Sequence, residues 1–142
     1  MSQKPRKATF EVLGDAEEMY GIPGLPFVPA VKVPAGHDLI FLSGILGPPT
    51  PEDPATDVRS EARRAFRHMA DVLALAGATF DDVVSVEKFI VDMGRHNPAI
   101  VEVMHEFFTR MPASTTVEVT RLVPADLRFE IKAVAAVRAE PR

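Results

Sequence analysis

The chain has no cysteine and no tryptophan, and its one tyrosine is Tyr20. Without thiols there are no disulfides, no thiolate nucleophile and no cysteine-ligated zinc, which fits a reducing cytoplasm. So few aromatic platforms leave little on which the bases of a single strand could stack. A basic surplus is missing too. Sixteen Lys and Arg stand against 20 Asp and Glu, for a formal charge of −4, and the basic residues are interspersed with acidic ones. Attraction to a phosphate backbone is therefore weak, and no nucleic-acid partner is expected. Apolar runs are only a few residues long, which excludes a spanning helix and a membrane partner. The stretch MSQKPRKATF has basic residues but no apolar h-region of a secretory signal. A cytoplasmic location is expected.

Familiar catalytic motifs are also absent. There is no P-loop, no Gly-x-Gly-x-x-Gly, no His-Glu-x-x-His and no EF-hand loop. His37, His68, His96 and His105 are too dispersed to read as ligands, so neither a metal nor a cofactor is expected. Ser43 in FLSGILG lacks the glycine two residues earlier that a nucleophile elbow needs, because position 41 is Phe.

What is present reads as one globular domain over 1–142, with residues 1–8 a flexible tail; 46% hydrophobic and 25% charged residues are ordinary for a folded chain. Eight of the 13 prolines fall between Pro23 and Pro54, which predicts turns and short strands there. AVKV and DLIFLSG read as two strands around the turn PAGHD. A helix capped by Thr56 or Asp57 follows, with Val58, Ala62, Ala65, Phe66, Met69, Leu73 and Ala76 on its buried face and Gly77 ending it. Arg59, Arg63, Arg64, Arg67 and Asp71 read as its solvated face. VVSVEKFIV is a strand. A second helix is predicted from NPAIVEV, with Asn97 as cap, Pro98 in the first turn and Pro112 preventing continuation.

STTVEVTRL and LRFEIKAVAAV then read as two strands joined by the turn VPAD. In the second, Leu127, Phe129, Ile131, Ala133, Ala135 and Val137 point one way, and Arg128, Glu130 and Lys132 the other. Two helices cover only one face of a sheet of five or six strands, so an oligomer is expected to cover the other.

In order along the chain, LIFLSG, AGATFDDVVSVEKFIVDM, EVMHEFF, PASTTVEVTRL and FEIKAVA resemble the RidA/YjgF family of enamine and imine deaminases, over roughly Ala30 to Val137. The resemblance implies an α+β, chorismate-mutase-like fold, with a mixed sheet of about six strands and two helices on one face. It also implies a homotrimer with sites in the clefts between subunits. Glu130 corresponds to the glutamate that positions the hydrolytic water and shuttles protons. Ser43 and Gly44 match the family's cleft residues. The family's Pro-Ala-Arg, whose arginine clamps a substrate carboxylate, reads Pro112, Ala113, Ser114 here. Phe27, Ile45 and Val101 stand where the family has Tyr, Gln and Asn, and Thr116 lies two residues after Ser114.

The function this implies is a deaminase-like hydrolase of altered substrate range, with Glu130 as general acid/base and Ser114, Thr115 and Thr116 as hydrogen-bond partners. The alternative is a non-catalytic trimer binding a small apolar metabolite or a protein partner in the cleft. Ribonuclease activity, attached to some family members by name, is opposed by the acidic charge and the lack of a basic stripe.

Overall fold

The computed structural model describes residues 10–140, so the tail expected at 1–8 lies outside them. A short strand β1 (Glu11–Leu13) leads into a one-turn helix α1 (Ala16–Tyr20) that the sequence pattern does not announce. Asp15 caps it, its carboxylate accepting from the amides of Glu17 and Glu18 at 2.9 and 3.1 Å. Strands β2 (Ala30–Lys32) and β3 (His37–Phe41) stand where expected around the turn, but they do not pair with each other. β2 pairs with β1 in a separate two-stranded ribbon, and β3 joins the main sheet.

After a two-residue strand β4 (Ile45–Leu46), helix α2 (Val58–Leu75) begins at the cap Asp57, which accepts from the Ser60 amide at 3.1 Å. Strand β5 (Val83–Ile90), helix α3 (Met93–Phe107), strand β6 (Ala113–Glu118) and strand β7 (Phe129–Arg138) complete the order. The main sheet has five strands, ordered β3-β7-β5-β6, with β4 pairing β7 beside β3. β5 and β6 run parallel and the other pairings are antiparallel.

The last two strands are therefore not a hairpin joined by VPAD. β5 lies between them, and residues 119–128 carry the chain across. A parallel pair needs a crossover, and α3 supplies it between β5 and β6.

α3 starts earlier than NPAIVEV predicts. Its first amide, Met93 N–H, donates to Glu118 Oε2 at 2.9 Å, and Asp92 holds the left-handed φ of 51° that turns the chain into the helix. Asn97 is consequently inside the helix instead of capping it, and its Oδ1 is buried without a donor.

Both long helices pack on one face of the sheet. Phe66 of α2 is at the centre, stacked on Phe107 at 5.3 Å between ring centroids and touching Phe129 of β7 at 5.6 Å. The arginines of α2 are not simply solvated. Arg64 is only 4% exposed and ties the proline-rich loop down, donating to the carbonyls of Gly47 and Asp53 at 3.0 and 3.1 Å. Arg59 and Arg63 reach across to Glu102 and Glu106 of α3. The sheet's other face stays open and displays Leu39, Phe41 and Val117. No helix among the described residues is long and apolar enough to cross a membrane.

Candidate functional site

Alternation along β7 puts Phe129, Ile131, Ala133 and Ala135 into the core and leaves Glu130 half-buried on the open face. Its neighbours across the sheet are Phe89 of β5 and Leu46 of β4. Gly44, between β3 and β4, supplies the room the carboxylate occupies. A Cβ added there would lie 2.7 Å from Glu130 Cδ and 2.8 Å from Oε2. Ser43 and Gly44 are both exposed beside it. The serine, the glycine and the glutamate named from sequence thus come together.

α2 fixes the strand that carries Glu130 and its neighbour β4. Glu61, 1% exposed, accepts from the Arg128 and Phe129 amides at 2.6 and 3.1 Å and from Arg128 Nε at 3.1 Å. Arg128 also donates to the Thr56 carbonyl. One turn and two turns further along α2, Arg64 holds the Gly47 carbonyl and His68 Nδ1 lies 2.8 Å from the Leu46 carbonyl. Gly47 has no room for a side chain, since an added Cβ would meet the Glu61 carbonyl at 2.0 Å. Sequence reading passed over Glu61. Its signal is that it occupies the i, i+4 row of Ala65, Met69 and Leu73, an apolar stripe in which a lone carboxylate needs partners.

The remaining predicted residues are elsewhere in the chain. The register Val86 to Ser114 and Lys88 to Thr116 puts Ser114 and Thr116 on the helix-facing side of β6, and Thr115 on the open side. Phe27 lies beside Pro112, just before β6, because Val28 N–H donates to the Pro112 carbonyl at 3.1 Å and Val28 bridges Ala113 in parallel. The Phe27 ring meets Tyr20 edge-on at 6.2 Å between centroids. Val101 is partly exposed on α3, in the helix layer. Ile45 is 9% exposed and points into the core beside Ile131, so Leu46 is the β4 residue on Glu130's face.

From β7 to β6 there are two strand spacings of about 4.8 Å, and three rises of about 3.3 Å separate the registers. Ser114 and Glu130 are thus on the order of 14 Å apart and on opposite faces.

One further group belongs to the strand VVSVEKFIV. Lys88 occupies an inward position of β5 between Val86 and Ile90, 2% exposed. Burial alone drives its pKa down to about 8. A lysine at an inward place in an alternating strand is the sequence signal that could have marked it. Among the described residues, no cluster of three or more His, Asp or Glu could hold a metal ion.

A two-helix layer on a mixed five-stranded sheet, with a glutamate seated over a glycine on the open face, is the frame of a small α+β protein. Residues 22–137 match the family model described as Endoribonuclease L-PSP. The chain is 37% identical over 102 residues to the RutC family protein YjgH of Escherichia coli, covering 70% of this chain and 76% of that protein. It is also 37% identical over 115 residues to a 2-iminobutanoate/2-iminopropanoate deaminase of Dermatophagoides farinae, covering 79% and 86%. Among solved structures, the Rid-family protein YyfB of Yersinia pestis superposes with a TM-score of 0.76 at 25% identity, covering 90% of this chain and 98% of that one. The chain belongs to the RidA/YjgF family.

Proposed function

We propose that the protein is an enamine/imine deaminase that hydrolyses C=N bonds with release of ammonia, acting as a homotrimer with Glu130 as general acid/base. The observation that carries this reading is the Glu130 carboxylate, half-buried, held over Gly44 and braced from α2 through Glu61 and His68. In such a site Glu130 takes a proton from water as its oxygen attacks the imine carbon. It returns that proton to the nitrogen to give a carbinolamine. It then takes the new hydroxyl's proton and passes it to the amine nitrogen as the carbon–nitrogen bond breaks, leaving a carbonyl and ammonia. The relative named as a 2-iminobutanoate/2-iminopropanoate deaminase supports the reaction class.

The trimer is part of the proposal. Ser114 and Thr116 are on the helix-facing side of one sheet edge, whereas Gly44 and Glu130 are on the open side. A second copy would have to bring one group opposite the other. The exposed Leu39, Phe41 and Val117 give the open face an apolar surface for that contact. With serine at 114, no bidentate guanidinium grip on a carboxylate is available from that position, so the substrate range would differ from that of family members with arginine.

The test is ammonia release from enzymatically generated 2-iminobutanoate. Wild type should hydrolyse it and Glu130→Ala should not; equal rates in the two would end the proposal. The competing reading, a non-catalytic trimer with an apolar cleft, draws on Phe27 and Val101 but not on Ile45, which is in the core. A ligand that raises the melting temperature of a protein without turnover would favour it. The printed family description names an endoribonuclease, but a net charge of −4 without a basic stripe does not suit an RNA substrate.

A further inference from the structure

Lys88 is a buried cation that the mechanism above leaves unused. It projects from the middle of β5 into the helix side of the sheet, flanked by Ile131 of β7 and Thr116 of β6. Among the described residues its ammonium enters no ion pair, and its hydrogen-bond partner is Met104 Sδ at 3.9 Å. A thioether is a weak acceptor, and a buried ammonium without a counter-charge is uncommon and costly. A structural role would be served better by leucine or methionine.

The surroundings indicate what would pair it. β6 is the outer strand of the sheet, so its helix-facing side lies at an edge. Thr116 stands beside Lys88 and Ser114 lies two residues along, both partly exposed on the same face. They carry hydroxyl groups from the buried ammonium toward that edge. Val101 lies one turn before Met104 on α3, and Phe27 precedes Val28, which bridges Ala113 at the start of β6. The nearby carboxylates are engaged elsewhere. Glu118, next on this face of β6, accepts from Met93 N–H at 2.9 Å, and Glu102 pairs with Arg59 at 2.7 Å. This edge therefore combines two neutral donors and one cation without an internal counter-ion.

We infer that Lys88 is the anion-binding residue of this edge and takes a small carboxylate such as that of a 2-imino acid, with Thr116 and Ser114 donating to its oxygens. This rests on the deaminase reading, in which this edge is the half-site that a neighbouring copy's Gly44 and Glu130 would face. An arginine at 114 would grip a carboxylate with two parallel bonds in a fixed plane. Lys88 instead offers a point charge from below, which attracts the anion but leaves its orientation to the hydroxyls.

Lys88→Met tests this without endangering the fold, since it exchanges an unpaired buried charge for an apolar chain of similar length. The probes are 2-oxobutanoate, titrated by calorimetry, and 2-iminobutanoate turnover. Loss of a charge-assisted contact should raise the Kd for 2-oxobutanoate roughly 10- to 100-fold, and should raise KM more than it lowers kcat. Lys88→Gln, which keeps a polar group of similar length, should show the same loss. Ser114→Arg added to Lys88→Met should restore affinity, which a purely structural lysine would not allow. Equal 2-oxobutanoate affinity in wild type and Lys88→Met, or no binding by wild type, overturns the inference. Lysine-dependent binding of 2-oxobutanoate by a wild type that does not hydrolyse 2-iminobutanoate would instead remove the deaminase reading and leave the anion site standing.

Discussion

Glu130 and Gly44 depend on each other at the scale of single residues. A methyl group at position 44 would stand 2.7 Å from Glu130 Cδ, but what it meets is the end of a flexible, partly exposed side chain. Gly44→Ala is thus expected to displace the carboxylate without disturbing the core. Turnover of 2-iminobutanoate should fall at least about tenfold, with the melting temperature within about 3 °C of wild type. A fully active alanine variant would show that the seat over Gly44 is not the catalytic position. Lys88 makes a prediction of a different kind, about pH. Its pKa is about 8 in the folded chain against 10.5 in the open chain, with burial as the cause. The groups facing it are Thr116 and the Met93-bound Glu118 on β6, Ile131 on β7 and Met104 on α3, so no free charge offsets that burial. Below about pH 8 both states hold the proton and the penalty for burying the ammonium is complete. Between about 8 and 10.5 the unfolded chain holds more protons, so stability rises with pH, by on the order of 3 kcal/mol. Urea titrations of wild type and Lys88→Met at pH 7.5 and 10.5 read this directly. The gap between them should narrow at the higher pH, and a constant gap would contradict it.

Between elements, the join that matters is α2 to the start of β7. Glu61 satisfies two backbone amides and the Arg128 guanidinium at once, so Glu61→Ala strands all three. A loss on the order of 3 kcal/mol is expected, seen as a lower urea midpoint at unchanged slope. A change below about 1 kcal/mol would mean that water replaces the carboxylate. The sequence shows such joins unevenly. Helix α2 was legible from its 3.6-residue stripe and its cap Asp57, both of which are local signals. The start of α3 was not, because its first amide is satisfied by Glu118, 25 residues away. The strands were visible as strands, since alternation is local, but their partners were not. Nothing near AVKV says that it pairs with Glu11–Leu13, and nothing near VPAD says that β5 lies between the strands on either side. The candidate site divides in the same way. The outward face of Glu130 follows from period two, whereas the inward turn of Ile45 depends on its register with Ile131.

For the whole molecule, the open face is the main feature. Phe41 is 74% exposed and Leu39 51%, at the outer edge of a sheet whose other side carries α2 and α3. If copies meet there, Phe41→Asp should shift sedimentation toward the monomer and abolish deaminase activity, even though position 41 is not among the proposed reacting groups. An Asp variant with unchanged mass and turnover would place the contact elsewhere. The strand order also has a consequence for how the chain comes to be made. β7 borders β3 and β4 on one side and β5 on the other, yet it is the last strand to leave the ribosome. Until residue 138 has emerged, the earlier strands lack their common neighbour and Phe66 lacks the Phe129 ring it packs against. Folding must therefore wait for synthesis to pass that point, and a nascent chain stalled before it would show its greasy interior to chaperones.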